Sequence, residues 1–566
     1  MRTQRQMTRR LVISVVSFVT LFAVVLGQAA GDPALVVAAR DGDFQAVRAL
    51  LAKRVNVNEV SRDGSTAALW AAYHADLRML RALAAAGANL NLPNRYGVTP
   101  LLQAARTGDT STIAELLKAG ADVKKAAHSE GETPLMAASR TGNLDAVKLL
   151  LEAGSDPNAA EGYQKETALM WAAVEGHADV ISTLIAAGGN PNAKAHVSAL
   201  TERKHADHPT GGFTALMFAT RNGHEAAVRA LVKGGADLKA TNGDGVTATM
   251  IAIANDRFDL AKALIDLGAD PNDGSLFFAV DMRDATTDMR ARDGSRLRMD
   301  LPNQLSALDL VKLLLDRGAD PNKPFVGGVH NTTLCCAEEH NASPFFRAAI
   351  AADVEVLKLM VQHGAKVDWS PTEVKKEGAT AGRGLNANVG KTPAMVALTG
   401  GRGAPFAAGP GFDRLIAPPY REASNREPAD ALKVLLEAGA DPNAKSADGA
   451  TLLHQAVAAR RTDMIRTLVS KGAKLDAVNK DNLTPLQLAE KPEPPPPPGN
   501  NTDSRTYRPR RDSRDAVIAT LRELMHLGPN DPTPVPPEAP KNADESKKTE
   551  EPKAASPAPA TSTGTR

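Results

Sequence analysis

Two cysteines and two nearby histidines are the residues of this chain whose types could bind a metal ion or respond to redox conditions. Cys335 and Cys336 are adjacent, and His330 and His340 flank them. Thiolate and imidazole groups are good ligands for zinc and copper, but the C-x-x-C spacing that makes such a site convincing is missing. A disulfide between neighbours would close a small strained ring and add little stability. We predict that no metal is bound, and we keep a metal-binding or redox-responsive module here as an alternative.

The sequence also lacks the short motifs that accompany common catalytic chemistry. It contains no phosphate-cradling glycine loop, no G-x-S-x-G pattern and no H-E-x-x-H pattern. Its glycines recur at a fixed period, and acidic residues stand beside them in turn-like sequences. We therefore predict that the protein is not an enzyme and needs no cofactor.

The recurring feature is a phrase that is almost complete at 131–158. It starts with Thr133-Pro134, continues with an apolar stretch and a leucine pair, and closes on a glycine followed by Asp156-Pro157-Asn158. The closing glycines recur at a nearly constant spacing, at Gly87, Gly120, Gly154 and Gly188. A fixed period of about 33 residues is typical of stacked repeat proteins.

Each phrase has the residues expected of two short helices. Thr133 can cap a helix with its hydroxyl, and Pro134 suits the first helical turn, where no amide partner exists. Gly142 can end this helix in the left-handed conformation. Apolar residues at helical spacing from Leu144 to Leu151 then predict a second helix. Helix pairs this short cannot bury their apolar faces alone, so neighbouring pairs must stack.

The period and the Thr-Pro-Leu start resemble the ankyrin repeat, over roughly residues 32–528. The resemblance implies an all-α solenoid of about twelve helix-turn-helix units, with short β-hairpin fingers and several loop insertions. The units are predicted to begin near Asp32, Thr66, Thr99, Thr133, Thr167, Thr214, Thr247, Gly274, Ser343, Thr392, Thr451 and Thr484.

Insertions and changes of composition divide the chain into five predicted segments. The last of them is rich in Pro, Ala, Lys and Glu and is predicted to be disordered. The segments are a signal peptide at 1–30, a regular array at 32–274 with one insertion at 194–211, an array with long insertions at 275–449, C-terminal units at 450–528 with a Pro-rich insertion at 491–513, and a tail at 529–566.

The first segment has the features of an export signal. Four arginines precede an uncharged, mostly apolar run at 11–27, and small residues follow at Ala29-Ala30. We predict a bacterial protein that is periplasmic or secreted. An uncleaved membrane anchor and twin-arginine export through Arg9-Arg10 are the alternatives.

Aligning the units places arginines and aromatic residues in shared columns that the resemblance turns towards a concave groove. Arginines there could donate bidentate hydrogen bonds to a partner's carboxylates, and aromatic side chains could anchor a partner. Solvated arginines and aromatic core fillers are the alternatives. One column holds Arg40, Arg106, Arg140 and Arg221. The predicted protein-binding residues are Trp70, Tyr73, His74, Tyr96, Arg106, Arg140, Tyr163, Trp171, Phe218 and Arg221.

Three other histidines occupy positions that recur in the units. His177 and His224 follow a glycine, and His454 completes a pattern that resembles the Thr-Pro-Leu-His start of an ankyrin repeat. We predict that these three side chains make hydrogen bonds within the array and bind no ligand.

Charge narrows the class of partner. Lys and Arg number 67 against 65 Asp and Glu, so no overall charge attracts nucleic acid or anionic membranes. We predict a monomeric, non-catalytic scaffold in the cell envelope that binds a protein partner through its concave face, a function that rests on analogy of fold. Nucleic acid is not an expected partner, and a membrane is one only if the N-terminal segment stays uncleaved. A structural envelope spacer is the remaining alternative.

Overall fold

A computed structural model describes residues 31–124, 131–197, 211–284, 303–329, 338–374, 388–398, 427–492 and 511–534. Within these ranges 24 α-helices follow one another as twelve pairs, which we number as units 1 to 12. The predicted all-α repeat architecture is therefore confirmed. The signal segment, Cys335, Cys336, His330, most of the Pro-rich insertion and most of the tail lie outside the described residues.

The helices of units 1 to 6 are α1 (Ala34–Arg40) and α2 (Phe44–Ala52), α3 (Ala67–Tyr73) and α4 (Leu77–Ala85), α5 (Pro100–Thr107) and α6 (Thr110–Lys118), α7 (Pro134–Thr141) and α8 (Leu144–Glu152), α9 (Ala168–Glu175) and α10 (Ala178–Ala186), and α11 (Ala215–Asn222) and α12 (Glu225–Lys233). Those of units 7 to 12 are α13 (Ala248–Ala254) and α14 (Phe258–Asp266), α15 (Ser275–Asp284) and α16 (Ala307–Asp316), α17 (Pro344–Ile350) and α18 (Val354–Gln362), α19 (Pro393–Leu398) and α20 (Pro428–Glu437), α21 (Leu452–Ala459) and α22 (Thr462–Ser470), and α23 (Pro485–Glu490) and α24 (Arg514–Leu524).

Eight of the twelve predicted unit starts cap the first helix with their side chains. The hydroxyl of Thr99 accepts a hydrogen bond from the Leu102 N–H at 3.2 Å, and Thr66 and Thr133 do the same for Leu69 and Met136. In the first unit Pro33 precedes α1 and gives no side-chain cap, so this terminal unit is degenerate.

One glycine position shows what a side chain would disturb at the end of a first helix. Gly142 ends α7 with φ at 75°, and a Cβ there would lie 2.5 Å from the His177 ring. A side chain would therefore be strained in its backbone and would also displace the ring of the following unit. Glycine is therefore favoured in this unit, whereas Ala75, Asp256, Ala352 and Arg460 take positive φ at the same position in other units.

The described helices of the array form two layers. First helices of consecutive units pack against each other, as α3, α5, α7 and α9 do, and second helices form the other layer. Alanine pairs of the first helices are fully buried, as Ala71-Ala72 and Ala104-Ala105 illustrate, and their small side chains let adjacent helices approach closely. The chain separates into two compact parts, Met1–Val434 and Leu435–Arg566.

Asparagine side chains tie the turn after one second helix to the turn after the next. The Asn158 amide donates to the Gly188 carbonyl at 2.9 Å, and its oxygen accepts from the Asn190 N–H at 2.8 Å. We call these paired contacts asparagine bridges. The same bridges are made by Asn58, Asn91, Asn192, Asn272, Asn322 and Asn443.

The fingers between units contain less β-structure than the predicted β-hairpins. Five of them are closed by one isolated β-bridge in the described residues, such as that between Val60 and Thr66. In the described ranges one true two-stranded sheet occurs, between unit 8 and unit 9. There β1 (Phe325–Val329) pairs antiparallel with β2 (Glu338–Ala342).

Two further features bear on function. No helix within the described ranges has the length and apolar character needed to cross a bilayer. Nor do three or more His, Cys, Asp or Glu side chains in those ranges come together in a way that could hold a metal ion.

Candidate protein-binding surface

The predicted binding residues of units 2 to 6 fall at two kinds of place. Some stand near the C-terminal ends of the first helices α3, α5, α7, α9 and α11, and two stand at the tips of fingers. We call this set the helix-end surface, and it comprises Trp70, Tyr73, His74, Tyr96, Arg106, Arg140, Tyr163, Trp171 and Arg221.

In unit 2 three rings form one aromatic cluster. The Trp70 and Tyr73 rings meet edge to face at 5.6 Å, and Tyr73 meets His74 in the same way at 5.1 Å. The His74 ring is held by unit 1, because its Nε2 donates to the Arg40 carbonyl at 2.8 Å. Tyr73 remains half exposed, so the cluster presents a rigid aromatic side chain to the solvent.

In units 1 and 3 the aligned arginines already have carboxylate partners. Arg40 lies 2.9 Å from Asp32. Arg106 holds Glu132 with two hydrogen bonds, one of them 2.9 Å from Nε, and the Glu132 side chain is only 4% exposed. A buried carboxylate needs such a partner, since burial of an unpaired charge is costly. These arginines are therefore used to stabilise the fold.

Arg140 in unit 4 has a different environment. Its guanidinium lies over the ring of Trp171 in the next unit, 5.1 Å from the ring centroid. The Arg140 side chain is exposed and Trp171 is partly exposed. Within the described residues Arg140 makes no ion pair with a carboxylate. The pair is a cation–π contact open to solvent.

Two glutamates stand at the finger of unit 5, and one of them, Glu166, interacts with Trp171. Glu161 accepts hydrogen bonds from the N–H groups of Tyr163 at 2.6 Å and Glu166 at 3.0 Å, and so shapes the finger. Burial raises the pKa of the Glu166 carboxyl, and the charge of Glu161 raises that pKa further. The Trp171 indole and the charge of Arg221 act in the opposite direction.

In unit 6 the predicted anchor Phe218 is part of the core. It is 7% exposed, and its ring packs 5.3 Å from that of Phe213. Arg221 covers both rings, at 5.3 Å from the Phe218 centroid and 5.5 Å from the Phe213 centroid. The core-filler interpretation therefore applies to Phe218, because its ring is covered by residues of its own unit.

The tyrosines stand out from the rest of the array. Tyr73, Tyr96 and Tyr163 are 51%, 64% and 77% exposed, and they are the exposed aromatic side chains of the described residues. All three belong to units 2 to 5. Tyrosine is enriched where proteins bind other proteins, since it combines apolar area with a polar tip at low entropic cost.

Sequence reasoning missed the acidic residues of this region. Glu132 and Glu166 each stand one residue before the threonine that starts a unit, and both meet residues of the helix-end surface. An acidic residue directly before the Thr-Pro or Thr-Ala start is the signal that could have identified them.

The hydrogen bonds predicted for the recurring histidines are confirmed. His177 and His224 donate to the Arg140 and Val174 carbonyls, each at 3.0 Å, and so link one unit to the one before it. The third, His454, lies 2.9 Å from the Leu483 carbonyl.

Comparison with known proteins agrees with this architecture. The family model described as ankyrin repeats (3 copies) matches residues 35–127, 101–195, 196–275 and 421–492, which together exceed half of the chain. No curated protein matches the chain. Among solved structures, the crystal structure of the human ASB11 ankyrin repeat domain is similar at 24% identity, over 42% of this chain and 97% of that one, with a TM-score of 0.35.

Ankyrin repeats are generally modules of protein–protein interaction and are typically non-catalytic. The paired helices, the threonine caps and the matched family model lead to one conclusion. The chain belongs to the ankyrin repeat family.

Proposed function

We propose that this protein is a non-catalytic scaffold that binds a protein partner through the helix-end surface of units 2 to 6. The observation that supports this most strongly is the exposure of Tyr73, Tyr96 and Tyr163, which all belong to units 2 to 5. Exposed tyrosines on a rigid frame provide binding energy without a large cost in ordering the free protein.

The neighbouring side chains support the same proposal. The Trp70 ring is held by Tyr73 and His74, and the Trp171 ring is held by Arg140. Trp, Tyr and Arg are the residue types that contribute most to binding energy in protein interfaces. Their side chains are already ordered, so a partner would lose little affinity to their reorganisation.

We further propose that binding takes place in a bacterial cell envelope, after export directed by the apolar run at 11–27. Fractionation of cells that express the full chain tests this. We expect the protein in the periplasm or the medium, and recovery in the cytosol alone would contradict the proposal.

Site-specific photo-crosslinking tests the binding function. A benzophenone amino acid placed at Tyr96 or Tyr163 in the full chain should form an adduct with a partner protein. The same group at Arg229, whose side chain is 53% exposed on the second helix of unit 6, is the matched control. Equal adducts from Arg229, or none from either tyrosine, would count against the helix-end surface.

A substitution test complements the crosslinks. With the benzophenone group at Tyr73, the combined change Tyr96→Ala and Tyr163→Ala should lower the adduct yield about tenfold, since each removes an exposed anchor. Val326→Ala is the control, because Val326 is 49% exposed on β1, outside the surface. Equal loss in both variants would show that the tyrosines have no particular role.

A further inference from the structure

We propose that the partner segment held at the helix-end surface is acidic, and that Arg140, stacked on Trp171, binds one of its carboxylates. This inference rests on the proposed function and adds the chemistry of the ligand. It starts from a difference among four arginines that share one position in their units.

Three of those arginines are engaged within the protein. Arg40 pairs with Asp32, and Arg106 pairs with the buried Glu132. Arg221 lies on two phenylalanine rings and feels the charge of Glu166. Arg140 differs because within the described residues its guanidinium contacts an aromatic ring and no carboxylate. Its hydrogen-bonding fork is therefore available to a ligand.

The stacking on Trp171 prepares this fork for a carboxylate. At 5.1 Å from the centroid, the ring restricts the guanidinium on one face and leaves its edges exposed. A guanidinium presents parallel N–H groups that match the two oxygens of a carboxylate. A side chain already held in place loses less entropy when that pair of hydrogen bonds forms.

Charged side chains of both signs stand at the tips of the fingers of the helix-end surface. Arg62, Arg95 and Lys165 are exposed at the tips of the fingers of units 2, 3 and 5. Carboxylates stand at those tips too: Asp63 accepts from the Ser65 hydroxyl at 2.8 Å, and Glu161 accepts from two backbone N–H groups, and both keep their negative charge.

Two exposed carboxylates stand in the same region, Glu59 before the finger of unit 2 and Glu175 at the end of α9. Counting Asp63 and Glu161, the described part of this region has four carboxylates beside four cations, so a carboxylate of the ligand would be drawn to Arg140 itself and not to a net charge of the surface. A complementary charge at one position helps to select a partner.

The test measures binding of a fluorescent oligoglutamate peptide to the full-length protein by anisotropy at low salt. Arg140→Gln should weaken binding about fivefold, the range expected for loss of one charge-assisted pair on a partly exposed surface. Arg140→Lys should also weaken it, because a lysine keeps the charge but lacks the planar fork. Arg78→Gln is the matched control, since Arg78 also lies over a ring, that of Phe44 at 5.3 Å, but belongs to the second-helix layer.

Several results would overturn the proposal. These are unchanged affinity in Arg140→Gln, equal loss in Arg78→Gln, oligolysine bound as tightly as oligoglutamate, and tighter binding of oligothymidylate or phosphatidylglycerol vesicles than of the acidic peptide. Circular dichroism checks that helicity is preserved, and Arg140→Lys decides the matter if the glutamine variant loses helicity. If the crosslinks form but the affinity of Arg140→Gln for the peptide is unchanged, only this inference is wrong. If no crosslinks form, the proposed function is wrong as well.

Discussion

At the scale of single residues, the environment of His454 shows how one side chain can report on the packing of its neighbours. Its Nε2 faces the Leu483 carbonyl, which can only accept, so Nε2 carries the proton. Its Nδ1 accepts from the Thr451 hydroxyl at 2.9 Å and from the Thr451 N–H at 3.3 Å. The ring is therefore neutral and joins the starts of units 11 and 12. A second proton on Nδ1 would end its acceptance from the Thr451 N–H.

This arrangement predicts a loss of stability in mild acid. Burial lowers the pKa of His454 below the ordinary 6.5, so the folded state resists a proton that the unfolded state takes up. Stability is present above the ordinary pKa and is lost as the pH falls below it. Denaturant unfolding followed from about pH 8 to about pH 5 should show this decline. His454→Gln should reduce its slope, and an unchanged slope would contradict the prediction.

Glu166 has the opposite dependence on pH. Burial, with the charge of Glu161, raises its pKa, so the folded state binds the proton first as the pH falls and stability increases towards the ordinary 4.5. Glu166→Gln should therefore stabilise the protein at neutral pH and lose that advantage in acid. Denaturant midpoints at both pH values test this. Glu152→Gln, at an exposed carboxyl that ends α8, is the control and should show no such crossover.

At the scale of elements, the asparagine bridges explain what joins consecutive units besides apolar packing. Each bridge provides hydrogen-bond partners for a carbonyl and an N–H of the next turn, which would otherwise have to bond to water. In the turns that follow α6 and α12, Lys124 and Lys239 take the place of the asparagine. The side-chain link to the following turn is therefore absent at these two described positions.

Lys124→Asn should restore a missing bridge. By analogy with Asn158, the new amide would donate to the Gly154 carbonyl and accept from the Asp156 N–H, and two such bonds add about 1–2 kcal/mol to the free energy of unfolding. Lys124→Ala is the control, because it removes the lysine without supplying an amide. A denaturant series compares the two variants, and equal midpoints would mean that the bridge adds nothing there.

Most of the helices and unit starts could be predicted from the sequence, because the residues that define them are close together in the chain. A threonine cap, a proline in the first turn and a closing glycine each act over a short stretch of chain, so the unit starts from Thr66 to Thr484 agree with the helices. The site was harder to predict, because its contacts join different units. Whether Arg106 or Arg140 is available depends on Glu132 and Trp171, each of which belongs to the following unit. The burial of Phe218 depends on Phe213 and Arg221 of its own unit, whose contacts with its ring the repeat pattern does not specify.

At the scale of the whole molecule, stability is distributed over many small interfaces between neighbouring units. Buried alanine and leucine side chains recur through the described pairs of helices, and first helices of neighbouring units contact one another within each compact part. In such a protein the free energy of folding is close to a sum over units and their contacts. Covalent cross-links are not needed for this type of stability.

The two cysteines should therefore contribute little to folding. Cys335→Ser with Cys336→Ser, and separately the addition of a reductant to the native chain, should change the free energy of unfolding by less than about 0.5 kcal/mol. Thermal or denaturant unfolding with and without reductant measures this. A large shift would support the redox-responsive alternative, and zinc-dependent stabilisation lost in the double variant would support the metal-binding one.

The asparagine bridges also allow the chain to vary in length. Donor and acceptor are 29 residues apart for Asn443 and Gly472 but 46 apart for Asn272 and Gly318, and the distance between the two atoms is 3.0 Å in each case. The hydrogen bond between successive turns therefore does not depend on how many residues lie between its donor and its acceptor. Insertions between the units can therefore grow during evolution without loss of this hydrogen bond. For the same reason, a foreign epitope could be inserted between 197 and 211.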